Sequence, residues 1–377
     1  MNFVAWYREL IGGRKTCLRS LARTMLGVAE WPYAWIVRRR NQAFDAGRRP
    51  VEPVAARVIS VGNLTVGGTG KTPFVAWLVE QLQQQFDREH QLPGAAAKPN
   101  TQDVDLVRAR RGRIGIVSRG YGGDGQRPND EAQELAQLLP GVPHVQNPRR
   151  VLACQRLIAE HAVSVIVADD AFQHRSLQRD LDIVLLDGLD PFGGEHLLPR
   201  GWLREPVESL GRADVVVLTR CDLLSLDQRD AVRERVRQLA PEALWLEVAQ
   251  RPRRLRAADG MIAGLDELQR GRWLAFCGIG NPLGFRRTLQ AANVSVVGWR
   301  EYPDHHAYSA TDYTELAAWG EREVEATGLL CTGKDLVKIP RQTLGRLPLW
   351  SLSTELQLER GQEEFLQLLR THILHCQ

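Results

Sequence analysis

From residue 57 onward the chain alternates short, continuously apolar runs with longer amphipathic ones. Arg57–Gly62, Arg113–Ser118, Val163–Ala168, Leu181–Asp187 and Asp214–Thr219 are runs rich in Val, Ile and Leu, the pattern of strands buried on both faces. Between them Thr72–Phe86, Asn129–Leu139 and Pro148–His161 carry apolar residues at helical spacing. Strands and helices in this order predict an α/β protein with a doubly wound, mostly parallel sheet. A second, smaller α/β set begins near Trp273, with strands Leu274–Gly278, Val294–Trp299 and Gly328–Thr332. Its helices run from Pro282, over Thr311–Glu325 and near Gln362–Leu374. The expected division is an arm over 1–56, a core over 57–260 and a C-terminal α/β domain over 270–377, with 87–112 a surface insertion.

The first strand breaks into glycines. Ser60 to Pro73 reads Ser-Val-Gly-Asn-Leu-Thr-Val-Gly-Gly-Thr-Gly-Lys-Thr-Pro, a strand that turns through a glycine loop into a helix. Glycines let backbone N–H groups point into a cavity, and the helix N-terminus adds positive potential, so the loop suits the phosphates of a nucleoside triphosphate. Gly67, Gly68, Thr69, Gly70, Lys71 and Thr72 are the expected nucleotide-binding residues. Lys71 would reach the β/γ-phosphates and the Thr72 hydroxyl a Mg²⁺ ion. A strict P-loop pattern has glycine five residues before Gly70, where this chain has Thr65. The strand Val165–Ala168 ends in Asp169-Asp170, where P-loop enzymes keep a carboxylate for the metal at the carboxyl edge of the sheet. Either acid could serve. Gln173 and His174 follow closely enough to reach phosphate or substrate. The fold expectation is therefore P-loop NTPase-like.

Charge changes the picture only at the N-terminus. The 377 residues carry a net charge of +4, but residues 1–57 hold eleven Lys and Arg against four acids, so that segment is +7 and the remainder −3. The arginines interleave with aromatic and aliphatic residues, among them Met25, Trp31, Tyr33, Trp35 and Ile36, as in a helix lying in a membrane interface. An amphipathic arm packed on the body fits the same pattern. The longest nearly uncharged run, Met25–Val37, has thirteen residues, short of the roughly 20 needed to span a bilayer. A cleavable signal peptide is not expected, nor is a nucleic-acid-reading module. Six cysteines without a C-x-x-C spacing read as reduced core thiols.

Several further stretches, in order and spacing, resemble the tetraacyldisaccharide 4′-kinase family of lipid A biosynthesis over nearly the whole chain. They are Gly62–Thr65 through Thr72-Pro73, Ser118-Arg119-Gly120-Tyr121-Gly122, Asp169–His174, Leu197-Leu198-Pro199, Leu203-Arg204-Glu205-Pro206, Phe276–Pro282, Asp304-His305-His306 and Thr332-Gly333-Lys334-Asp335. Thr65 in place of glycine is itself a feature of that family. The resemblance implies an ATP- and Mg²⁺-dependent phosphotransferase acting on the 4′-hydroxyl of a tetraacylated glucosamine disaccharide 1-phosphate. It also implies a peripheral enzyme at the cytoplasmic face of the bacterial inner membrane, held there through the arm, with no obligate protein partner. A membrane-associated P-loop ATPase or regulatory nucleotide binder is the alternative.

By the same resemblance, the proton acceptor is Asp130 paired with His305, and Lys71 completes the catalytic set. Asp130 stands in Pro128-Asn129-Asp130-Glu131-Ala132, where the family has glycine and proline at the flanks, and it also reads as an acid at a helix start. Arg119, Arg150, Arg204 and Glu205 are candidates for phosphate or substrate contact; Arg150 reads equally as a solvated helix-start residue. Thr332–Asp335 could face nucleotide or cap a helix. The run Thr219-Arg220-Cys221-Asp222 matches a guanine-reading motif only loosely, which favours ATP over GTP.

Overall fold

A computed structural model of the protein describes residues 17–89, 114–120, 130–304 and 306–374. The described chain forms two compact units, one made of residues up to 249 and from 358, the other of Gln250–Gln357. The chain passes between them within two long strands, β7 (Leu244–Ala257) and β13 (Leu347–Arg360). This differs from the expected division near 260–270. The C-terminal helix α10 (Gln362–Leu369) also belongs to the larger unit, because Phe365 is buried and stacks on Trp77 at 5.9 Å. Gly361 makes the turn into α10 with φ +81°, and a Cβ there would meet the Trp245 carbonyl at 2.5 Å.

In the larger unit the chain runs through α1 (Cys17–Asp45), β1 (Arg57–Asn63), α2 (Lys71–Glu89), β2 (Ile114–Ser118), α3 (Asp130–Leu138) and β3 (His144–Gln146). It continues through α4 (Arg150–His161), β4 (Val165–Asp169), β5 (Leu181–Asp187), β6 (Val215–Thr219) and α5 (Leu226–Leu239) into β7. The sheet order is β3-β2-β4-β1-β5-β6-β7, every pair parallel. Strands β2, β4, β5 and β6 are buried throughout, as their unbroken apolar runs require. One face of β5 and β6 packs Val184, Leu186, Val216 and Leu218 with Ala34 of α1 and Val236 of α5. Because Val61 pairs with Asp169, Asn63 with Leu185 and Asp187 with Thr219, the strands end along one edge. Ligands bind at such an edge in open parallel sheets.

The smaller unit holds the second part of β7, β8 (Ile262–Ala263), α6 (Leu265–Arg270), β9 (Arg272–Cys277), α7 (Pro282–Ala291) and β10 (Ser295–Glu301). It ends with α8 (Ala310–Arg322), β11 (Gly328–Thr332), the one-turn α9 (Gly333–Leu336), β12 (Thr343–Leu344) and the start of β13. Strands β10, β9, β11 and β13 lie in that order, all parallel. Alternate residues of β9 serve opposite faces, as period two dictates. Leu274 and Phe276 join Leu316 and Trp319 of α8, while Trp273, Ala275 and Cys277 join Phe285 and Leu289 of α7. Cys154, Cys221, Cys277 and Cys331 are buried free thiols. The expected insertion falls largely on residues 90–113, outside those described.

Candidate active site

Strand β1 delivers Asn63 to the edge with its side chain fully buried. The Asn63 amide donates to the Thr65 carbonyl at 2.7 Å and its oxygen accepts from Lys71 Nζ at 3.2 Å. One residue therefore shapes the loop and aims the lysine. Gly67 and Gly70 have φ of +114° and +81°, which side chains rarely adopt. Thr65 does not need that freedom. It bridges antiparallel to Leu203, and the next amide, Val66, donates to the Trp202 carbonyl at 2.8 Å. Extended pairing at this point explains why a β-branched residue stands where strict P-loops have glycine. Helix α2 starts at Lys71, with Thr69 and Thr72 buried and the Thr69 hydroxyl without a partner.

The loop is braced from β6, a role that the sequence reading missed. The Thr219 hydroxyl donates to the Thr69 carbonyl at 2.9 Å, and Arg220 donates to the Gly68 carbonyl at 3.0 Å while pairing with Asp187 at 2.6 Å. The available signal was position: β6 is another unbroken apolar run, ending one residue before Arg220.

The two acids at the end of β4 have opposite surroundings. Asp169 is 2% exposed, and its Oδ1 has no hydrogen-bond partner. Burial, then the negative charge of Glu131, pushes its carboxyl well above the usual range, with Lys71 opposing. Asp170, in a left-handed conformation with φ +52°, turns its carboxylate to Lys71 Nζ at 3.3 Å and to Arg204 Nη1, 2.9 Å from both oxygens. Burial alone would raise it, but Lys71 and Arg204 hold it far below the usual carboxylate range.

Around this pair the remaining candidates divide. Arg150, the first residue of α4, is 1% exposed, donating to the Asp169 carbonyl at 3.1 Å and the Asn147 carbonyl at 3.2 Å. It is a buried strut, not a solvated helix-start residue. Gln173 donates to the Asn63 carbonyl at 2.9 Å and keeps an unpartnered buried oxygen. His174 sits 3.2 Å from the Ser176 hydroxyl. Burial, with Arg150 and Arg119 nearby, lowers it to about 4, so it is neutral at physiological pH. Arg119 is exposed just beyond β2. Glu205 is fully buried, its carboxylate meeting Arg40 at 2.5 Å, Arg212 at 2.7 Å and Asn41 at 3.2 Å. Asp130 opens α3, but its side chain, like all of His305, lies outside the described residues.

In the smaller unit the Thr-Gly-Lys-Asp stretch faces inward through its aspartate. Fully buried Asp335 accepts from the Gly278 amide at 2.9 Å, the Tyr308 hydroxyl at 2.9 Å and the Thr332 hydroxyl at 2.6 Å. Thr332 also caps α9. Tyr308 packs edge-on against His306, which stacks on Tyr302 with ring centroids 4.7 Å apart. Asp335 thus ties the end of β9 to the segment that follows β10.

Comparison with known proteins places nearly the whole chain in one family. The family model described as tetraacyldisaccharide-1-P 4′-kinase matches residues 22–90 and 102–374. A tetraacyldisaccharide 4′-kinase of Anaeromyxobacter dehalogenans is 34% identical over 357 residues, covering 89% of this chain and 85% of its own. One from Halothermothrix orenii is 30% identical over 376 residues, covering 96% and 95%. The crystal structure of LpxK from Aquifex aeolicus in complex with ATP is similar at a TM-score of 0.68 and 27% identity, over 93% of this chain and 99% of that one. With the family model matched over nearly the whole chain and relatives of this kind at 30–34% identity, the chain belongs to the tetraacyldisaccharide 4′-kinase family.

Proposed function

We propose that this protein transfers the γ-phosphoryl group of ATP to the 4′-hydroxyl of a tetraacylated glucosamine disaccharide 1-phosphate, giving the 1,4′-bisphosphate in lipid A biosynthesis. Beyond family membership, one observation carries the reading: Lys71, first residue of α2 after the glycine loop, stands between Asn63 Oδ1 and the Asp170 carboxylate. Phosphoryl transfer asks mainly for positioning and charge stabilisation. Gly67, Gly68, Thr69 and Gly70 cradle the phosphates, while Lys71 and Arg204 meet the transferred group. Asp170 keeps both cations aimed before nucleotide arrives. Arg150 orients the Asp169 backbone, and Gln173 and Arg119 remain candidates for phosphate or substrate contact.

Oxygen donors of the kind that Mg²⁺ takes are available at this edge. The unpartnered, buried Oδ1 of Asp169 and the Thr72 hydroxyl fit such an ion. When bound with ATP it would neutralise charge on the phosphates. Asp169 is the better donor of the two acids, since Asp170 is already engaged by Lys71 and Arg204. Removal of the hydroxyl proton falls to Asp130. The charge of Glu131, next to Asp130, is felt at Asp169, which supports the start of α3 lying close to the acids.

The lipid acceptor calls for a protein at the bilayer, on the cytoplasmic face where ATP is available. Among the described residues no helix is long and apolar enough to cross a membrane. Helix α1 instead exposes Met25, Val28, Trp31, Trp35 and Ile36 along one face, with Arg39 over the Trp35 ring at 5.2 Å. An apolar stripe edged with arginines suits the interface of an anionic membrane. Reversing Arg38 and Arg39 to glutamate should reduce sedimentation with anionic liposomes, and unchanged sedimentation would leave the arm as packing alone. Arg40 is excluded from that variant because it binds Glu205.

The decisive assay incubates purified protein with ATP, Mg²⁺ and the disaccharide 1-phosphate lipid in mixed micelles, followed by mass analysis. One added phosphate on the lipid is expected. ATP hydrolysis without lipid phosphorylation would favour the alternative of a membrane-associated ATPase.

A further inference from the structure

Helix α1 reaches the phosphate site from behind. The Tyr33 hydroxyl donates to the Arg204 carbonyl at 2.9 Å, while the Arg204 amide donates to the Leu64 carbonyl at 2.7 Å. The backbone of Arg204 is therefore pinned between the arm and the end of β1. The next residue, Glu205, is fully buried and is held from the arm by Arg40 at 2.5 Å and Asn41 at 3.2 Å, and from the body by Arg212 at 2.7 Å. Arg212 in turn lies over the Phe172 ring at 4.5 Å. Phe172 packs so closely on β1 that a Cβ at Gly62 would meet its Cβ at 2.5 Å. Arg204 thus extends from a doubly anchored backbone to the Asp170 carboxylate that also binds Lys71.

A buried carboxylate is costly unless charged partners meet it, so the Glu205 cluster specifies one seating of α1 against this segment. The anchors also lie on the side of α1 opposite its exposed apolar stripe: Ala34, Val37 and Asn41 are buried while Trp31, Trp35 and Ile36 are exposed. Displacing a catalytic group by about 1 Å can cost on the order of a hundredfold in rate.

We infer that the arm helix is part of the phosphate site: Tyr33 and the Arg40–Glu205 pair are positioning residues that hold the Arg204 guanidinium on Asp170 beside Lys71. This rests on the reading of Arg204 and Asp170 as phosphate-site residues. The helix that presents an apolar face outward thereby sets the geometry of phosphoryl transfer through its inner face, a role separate from membrane attachment.

The test uses the full chain with lipid substrate in mixed micelles at saturating surface concentration, so that bilayer binding does not limit the rate. Tyr33→Phe removes one hydroxyl and should lower kcat about five- to tenfold, the worth of a single well-placed hydrogen bond. KM for ATP should stay within about twofold, since uniform binding is untouched. Arg40→Met, approached from the other anchor, should lose at least as much. In an Arg204→Ala background either change should have no further effect, because no guanidinium remains to be positioned. A merely structural contact would instead lower the folded fraction and multiply with Arg204→Ala. Wild-type kcat in both Tyr33→Phe and Arg40→Met, or fully multiplicative losses, overturns the inference while leaving the function intact. Full kcat in Arg204→Ala alone would overturn the assignment of Arg204 itself, and this inference with it.

Discussion

Each unit ends a parallel strand near a buried aspartate, and the two carboxylates are treated in opposite ways. At the end of β11, Asp335 receives hydrogen bonds from the Gly278 amide, the Tyr308 hydroxyl and the Thr332 hydroxyl. At the end of β4, Asp169 is equally deep but leaves Oδ1 without a partner. Burial raises both above the ordinary carboxylate range, and at Asp335 the hydrogen bonds pull back toward the charged form. A satisfied buried acid is a structural tie. An unsatisfied one, next to the glycine loop, stands at a cost in stability, and in the proposed function it is the acid left open for a ligand. Position at a strand end is thus not enough to identify a site residue; what distinguishes the two acids is the account of their hydrogen bonds.

The largest expected effect lies at the loop beside Asp169. Lys71→Ala removes the cation shared by Asn63 and Asp170, and kcat should fall by about 10³ or more while the protein stays folded, since charge stabilisation of the transferred group is the main catalytic demand. Steady-state rates with circular dichroism as a fold check decide it. More than about a tenth of the wild-type rate, with normal ATP affinity, is incompatible with the phosphate-loop assignment.

The two aspartates give the next effect, and here the comparison can be broken directly. Asp169→Asn keeps shape and removes a carboxylate whose charged form burial disfavours, so stability should hold or rise slightly while kcat drops by about a hundredfold or more. Asp335→Ala strands an amide and two hydroxyls, and should cost about 2–4 kcal/mol in urea unfolding. If Asp169→Asn proves the more destabilising of the pair, the division into structural tie and open donor is wrong.

Much of this arrangement was legible in the sequence, and the reasons differ by element. Strands β1, β4, β5 and β6 stand out because a parallel strand buried on both faces must be apolar throughout. The glycine loop and Asp169-Asp170 stand out because the loop's glycines take positive φ and the two acids close an otherwise apolar strand. Strands β7 and β13 were not legible. Their inner parts read Gln-Arg-Pro-Arg-Arg and Ser-Thr-Glu-Leu-Gln, half-exposed patterns with a proline inside β7 that resemble a linker. The pairing of Arg204 with Asp170, 34 residues apart in sequence, depends on tertiary packing that no local pattern encodes. The same holds for Glu205, whose motif suggested a ligand contact but whose carboxylate is surrounded by the arm and Arg212.

The smallest effect concerns a third answer to burial, in which an ionisable group gives up its charge. His144 on β3 lies with Nε2 2.8 Å from the Ser118 hydroxyl, which also accepts from Gln146 at 3.0 Å. Burial, with Arg150 nearby, lowers its pKa to about 4. A histidine depressed in the folded state from an unfolded value of about 6.5 contributes stability above that value and loses it as pH falls toward 4, because the unfolded chain then binds the extra proton. Allowing for partial exposure, the loss should be about 1–2 kcal/mol between pH 6.5 and 4. Urea unfolding of wild type and His144→Gln across that interval measures it. The variant should show a flatter dependence on pH, and equal slopes would mean that the acid sensitivity belongs to the carboxylates, returning attention to Asp170 and its two cations.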